Sequence, residues 1–86
     1  MRVLFYANAR DYTSGEKTCE VPKTRNISEL IDILGKRFGE KFKEYLLADN
    51  TCFFLVNGKG IMNTGGLNTP LKDDDKIDIL PLVGGG

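Results

Sequence analysis

The chain has no histidine, only two cysteines, no net charge and no long apolar run. Each shortage excludes a class of function. Without histidine, neither a Ser–His nor a Cys–His nucleophile can be assembled, and no His-containing zinc-hydrolase motif exists. Cys19 and Cys52 stand far apart and form no Cys-x-x-Cys pair. An iron–sulfur cluster needs four soft ligands, so the two are expected to be free thiols in a reducing compartment, the cytosol. Lys plus Arg number 12, as do Asp plus Glu. This balance gives no basic excess for nucleic acid and no basic amphipathic stretch for a membrane surface. The opening apolar run is too short for a secretory signal, and nothing approaches the roughly 18 apolar residues of a membrane span. A cytoplasmic protein is expected, with neither nucleic acid nor membrane as partner.

What is present suits one small soluble domain of 86 residues, 41% hydrophobic and 28% charged. "RVLFYA" and "KTCEV" are rich in β-formers and flank the turn-prone "NARDYTSGE", which predicts a hairpin with a long loop. "NISE" offers Asn26 as a helix N-cap with Glu29 three residues on. Ile27, Leu30, Ile31, Leu34 and Phe38 then repeat at the spacing of one helix face, and Gly39 stops it. "EKFKEYLL" can add a helical turn. "CFFLVN" predicts a central strand buried on both sides or nearly so. A short strand is expected at Ile61-Met62, a turn at "DDD", and a last strand in "KIDILPLV". One main helix serving four to five strands must cover one face of a single mixed sheet, an α+β, β-grasp-like fold. The domain is drawn at residues 1–82, with 83–86 as a flexible glycine tail.

The other face of that sheet carries the functional expectation. In the last strand, Asp78 and Leu80 point away from Ile77 and Ile79; in the first, Arg2, Leu4 and Tyr6 point away from Val3 and Phe5. The charged residues label the solvent side. Leu4, Tyr6 and Leu80 are then apolar groups on that side and form a candidate partner-binding patch at the root of the glycine tail.

No catalytic machinery is legible. Asp73, Asp74 and Asp75 lack the ligand spacing of a calcium loop and read as a solvated turn, so no metal site is expected. "NGKG" and "NTGG" lack the spacing of a phosphate-binding loop. The tail differs. Its glycines follow the last strand directly, and the terminal carboxylate is expected on Gly86. A carboxylate must be activated before it can react, for instance as an acyl-adenylate made with ATP. A tail without bulky side chains can enter a narrow channel, and the extended reach from Leu82 to Gly86 is roughly 16–18 Å. Leu82, Val83, Gly84 and Gly85 would be the tail-binding residues and Gly86 the reacting one.

At these residues the chain resembles the ubiquitin-like sulfur carriers, most closely the small subunit of molybdopterin synthase. "VLFYANARD" resembles that family's opening strand, "NISELIDIL" its helix start, and "NTPLKDDDKIDILPLVGGG" its closing turn, strand and glycine ending. Gly84 stands where the family varies, and the segment from Asn57 to Pro70 is a few residues longer than usual. The resemblance implies that a partner enzyme adenylates Gly86 with ATP, that sulfur then replaces oxygen to give a thiocarboxylate, and that the synthase large subunit receives the tail. It implies a non-catalytic small subunit with no bound cofactor, and by position Tyr6 and Leu80 match family residues that contact the large subunit. Related alternatives are the sulfur carrier for thiamin thiazole and a protein modifier joined through Gly86 to lysines.

Overall fold

A computed structural model describes residues 1–48 and 52–81. The elements run β1 (Arg2–Phe5), α1 (Ala9–Tyr12), β2 (Thr18–Glu20), α2 (Ile27–Phe38), α3 (Glu40–Leu47), β3 (Cys52–Val56), β4 (Lys59–Gly60) and β5 (Lys76–Pro81). Two short 3-10 turns, Ile61–Asn63 and Gly66–Asn68, lie between β4 and β5. The strands form one mixed sheet in the order β2-β1-β5-β3-β4. Only β1 and β5 pair in parallel, so both of these inner strands end at the same edge of the molecule. This is the β-grasp arrangement the sequence predicts.

The helix cap is nearly the expected one. Asn26 accepts a hydrogen bond from the Glu29 backbone N–H at 2.9 Å, but the Glu29 carboxylate returns to the Arg25 N–H, one residue before the cap. Ile27, Leu30, Ile31 and Leu34 are all buried on the sheet side of α2, as their spacing requires. Gly39 ends the helix at φ +113°, a conformation closed to most L-residues, and α3 starts at once. α3 is thus a full eight-residue helix rather than one added turn. Gly35, which lowers helix propensity, is where the two helices meet: a Cβ there would lie 2.9 Å from Lys43 Cβ.

Four expectations need correction. The long first loop contains the helical turn α1, and Tyr12 on it stacks on Phe42 at 5.4 Å and on Tyr45 at 4.8 Å. Those aromatic contacts supply the burial that this turn-prone segment lacks on its own. β3 is buried on one face only: Phe54 faces the core while Phe53 is 38% exposed. The last hairpin pairs at Lys59–Gly60, two residues ahead of Ile61-Met62, because Asn57 and Gly58 take φ +52° and +86° and close a two-residue turn between Val56 and Lys59. Asn-Gly is the strongest short hairpin signal there is. Finally, Asp75 in the "DDD" turn is buried: its carboxylate accepts from Asn57 Nδ2 at 2.8 Å and from the Lys72 N–H at 2.7 Å. It ties the β3–β4 turn to the start of β5.

Candidate functional site

Register decides which side chains share the second face. Leu4 pairs with Asp78 and Asp78 with Leu55, so these three cross the sheet in one row. One step toward the strand ends, Leu80 pairs with Phe53. Tyr6 follows β1 level with Leu80, its N–H bonded to the Ile79 carbonyl at 3.2 Å. The buried hydrophobic strand residues Val3, Phe5, Cys19, Phe54, Ile77 and Ile79 all lie on the opposite, helix-covered face. Leu4, Tyr6 and Leu80 therefore share the open face, each of them half-buried.

Phe53 and Leu55 belong to the same patch and escaped sequence reasoning. An apolar run such as "CFFLV" has no alternation to show that one side faces outward. Only its antiparallel pairing with β5, where Asp78 and Leu80 mark the open side, reveals it. Gly60 extends the row at the sheet edge and carries no side chain to cover Leu55, whose Cδ2 a Cβ at that position would meet at 4.0 Å.

A single charge sits inside the patch. Asp78 labels the solvent side as expected, yet it is only 7% exposed. Tyr6 Oη donates to its Oδ1 at 3.3 Å, and Lys76 Nζ lies 3.9 Å from Oδ2. Burial first, then the charge of Asp78 and the hydrogen bond to it, push the Tyr6 phenol above its ordinary pKa, while Arg10 pulls the other way. Ala7 turns the chain from β1 into α1 with φ +49°, and Arg10 secures that corner by donating Nε–H to the Phe5 carbonyl at 2.9 Å. The corner thus holds Tyr6 over the face, level with Leu80 of β5.

Leu82, Val83, Gly84, Gly85 and Gly86 lie outside the described residues, so the site ends at Pro81. Pro81 pairs with Cys52 at the strand end. Neither cysteine is in a disulfide; burial pushes the Cys19 thiol up, the mark of a packed thiol rather than a reactive one. Among the described residues no group of three or more His, Cys, Asp or Glu could hold a metal, and no helix is long and apolar enough to cross a membrane.

The sequence model of the ThiS family matches residues 3–86. The chain belongs to the ThiS family. Its members are ubiquitin-like sulfur carriers, and the β-grasp sheet described above is their fold. Solved structures similar to this ThiS-family chain include a chain of the BexX/CysO complex of Amycolatopsis orientalis. That chain is 30% identical, with 99% of this chain and 98% of that one covered and a TM-score of 0.82. A chain from the complex of subunits 1 and 2 of the molybdopterin-converting factor of Helicobacter pylori 26695 is 34% identical, with 99% and 96% covered and a TM-score of 0.66. Small archaeal modifier protein 1 of Methanosarcina acetivorans is 27% identical, with 99% and 94% covered and a TM-score of 0.79. No curated protein matches the chain.

Proposed function

We propose that this ThiS-family chain delivers sulfur on its own C-terminus for molybdopterin (molybdenum or tungsten cofactor) synthesis, as the non-catalytic small subunit of a molybdopterin synthase. An adenylating enzyme binds the domain through the open face and draws Leu82–Gly86 into its channel. A carboxylate oxygen of Gly86 attacks the α-phosphorus of ATP and pyrophosphate leaves. A sulfide-level nucleophile then attacks the acyl carbon and expels AMP, leaving a thiocarboxylate. The same face next docks on the synthase large subunit, where the sulfur passes to a pterin precursor. This chain's residues bind and position: Leu4, Tyr6 and Leu80, with Phe53 and Leu55, hold the partner, and Leu82 to Gly85 thread the tail. The cytosol, where both thiols stay reduced, is the setting.

The observation that carries this reading is the family match itself, which runs through residue 86 and takes in the glycine ending. The choice of pathway draws support from the 34% identity to a chain of the molybdopterin-converting factor complex. Incubation with the adenylating enzyme of the same organism, ATP and a sulfur donor should replace one oxygen by sulfur at Gly86, read by intact mass. Transfer of that sulfur to a pterin precursor by the large subunit tests the pathway; transfer to a thiazole precursor instead would assign the chain to thiamin synthesis. A second reading, conjugation through Gly86 to lysines, draws on the likeness to a protein named as an archaeal modifier. Gly-Gly remnants on target lysines would reveal it.

A further inference from the structure

We propose that Asp78 selects the partner that docks on the open face, and that this partner, the adenylating enzyme, presents an arginine or lysine at the centre of an otherwise apolar contact. The inference rests on the open face being the docking side, as proposed above, and adds the chemistry of what meets it. Asp78 lies at the middle of the patch, with Leu4 and Leu55 as its cross-strand neighbours and Tyr6 and Leu80 toward the strand ends. It is the one carboxylate within this set, and its side chain is only 10% exposed.

Its hydrogen bonding is thin for such a position. A carboxylate can accept at about four lone-pair sites. Among the described residues, the Asp78 carboxylate has one hydrogen bond, from Tyr6 Oη at 3.3 Å, long for an O–H donor, and one ion pair at 3.9 Å to Lys76, whose side chain is 53% exposed. In the free domain, water meets the remaining capacity. A wholly apolar partner would strip that water and leave an under-paired charge in a dry interface, a penalty that the flanking leucines do not offset. A guanidinium or ammonium group on the partner removes the penalty, and the planar fork of arginine suits a carboxylate bordered by apolar side chains. Lys76, held at the edge of its reach, is the group the incoming cation displaces. Asp78 thereby turns a generic apolar face into one that rejects apolar surfaces lacking a matching positive charge.

The test is calorimetric titration of the full chain into the adenylating enzyme of the same organism without ATP, using wild type, Asp78→Asn and Asp78→Leu. Asn keeps the acceptor for Tyr6 and removes only the charge; Leu adds apolar area. Asp78→Asn should bind about 30-fold or more weakly. Asp78→Leu should bind no better than Asn, and raising salt should weaken wild type more than either variant. Binding of Asp78→Leu or Asp78→Asn as tight as wild type would overturn the inference, as would a wild type that does not bind. If thermal melts show that Asp78→Leu fails to fold, Asp78→Asn and the salt dependence decide alone. A wild type that binds but exchanges no oxygen for sulfur at Gly86 would sink the sulfur-carrier mechanism, while the Asp78 comparison still stands or falls on its own numbers.

Discussion

The two faces of this sheet draw on the same strands and similar residues, and they end in different states. On the helix side, Val3, Phe5, Ile77 and Ile79 are 0–1% exposed beneath Leu30, Ile31, Leu34 and Phe42. On the open side, Leu4, Leu55 and Leu80 stay half-buried around a carboxylate, with Phe53 more exposed still. β5 contributes to both: Ile77 and Ile79 complete the fold, while Asp78 and Leu80 lie on the open face. One face is finished by the chain itself. The other the chain leaves open, and it is the face proposed above to dock a partner; β5 holds the centre of both.

The sharpest break between fold and function should come at the glycine ending. Deleting Gly86, or adding one alanine after it, should abolish sulfur loading in the mass assay and leave the thermal midpoint unchanged, because a glycine has no side chain to bury. The reverse effect belongs to the helix side. Phe42 is fully buried and meets Phe5 and Phe38 edge to face, ring centroids 5.8 Å from each. Phe42→Ala should cost about 3–5 kcal/mol in chemical denaturation. For a domain of this size that is a large share of total stability.

Between these extremes lies the open face. Phe53→Ala or Leu80→Ala should weaken binding to the adenylating enzyme by roughly tenfold, as expected for anchors of a docking patch. Denaturation of the same variants should shift by only about 1 kcal/mol or less, since half-exposed side chains lose little burial. Equal losses of stability and binding would mean that the two faces are not separate in function.

How far this division is legible in the sequence depends on alternation. β1 and β5 mix charged and apolar residues, so Arg2 and Asp78 sort their neighbours correctly by period alone. The helix face of α2 and its Asn26 and Gly39 ends are equally clear, because caps and period act locally. β3 is opaque. A run of apolar residues cannot say which alternate members face out, and Phe53 and Leu55 are hidden in it. Tertiary contacts also override local preference twice. Aromatic stacking on Phe42 and Tyr45 holds α1 in a segment of turn formers, and Asp75 is drawn inward by Asn57. Neither partner is near in sequence, so neither pairing leaves a local trace.

Gly35 tests how tightly the helix side is assembled. Alanine there gains up to about 1 kcal/mol in helix propensity, while overpacking typically costs about 1–3 kcal/mol. The added Cβ would meet Lys43 Cβ, close to the backbone of α3, where flexing of the lysine stem gives no relief. The clash should win. Gly35→Ala is expected to lower stability by roughly 1 kcal/mol, and a gain instead would show that α3 is free to shift on α2.

The smallest expected effect reads the electrostatics of the open face directly. In the folded chain the Tyr6 phenol is raised above the ordinary value of about 10, by burial and then by Asp78. As pH rises, the unfolded chain therefore releases this proton first. The resulting stabilisation is fully present below about pH 10 and is lost as pH climbs through the folded value. Asp78→Asn removes the charge and should bring the Tyr6 titration down toward the ordinary tyrosine range, narrowing that alkaline window. Phenolate absorbance can follow it, with Tyr6→Phe subtracted to isolate the one ring, since burial raises Tyr45 as well. An unchanged titration in Asp78→Asn would mean that burial alone sets the Tyr6 value. The carboxylate would then exert too little influence on its nearest hydroxyl to be credited with choosing a partner.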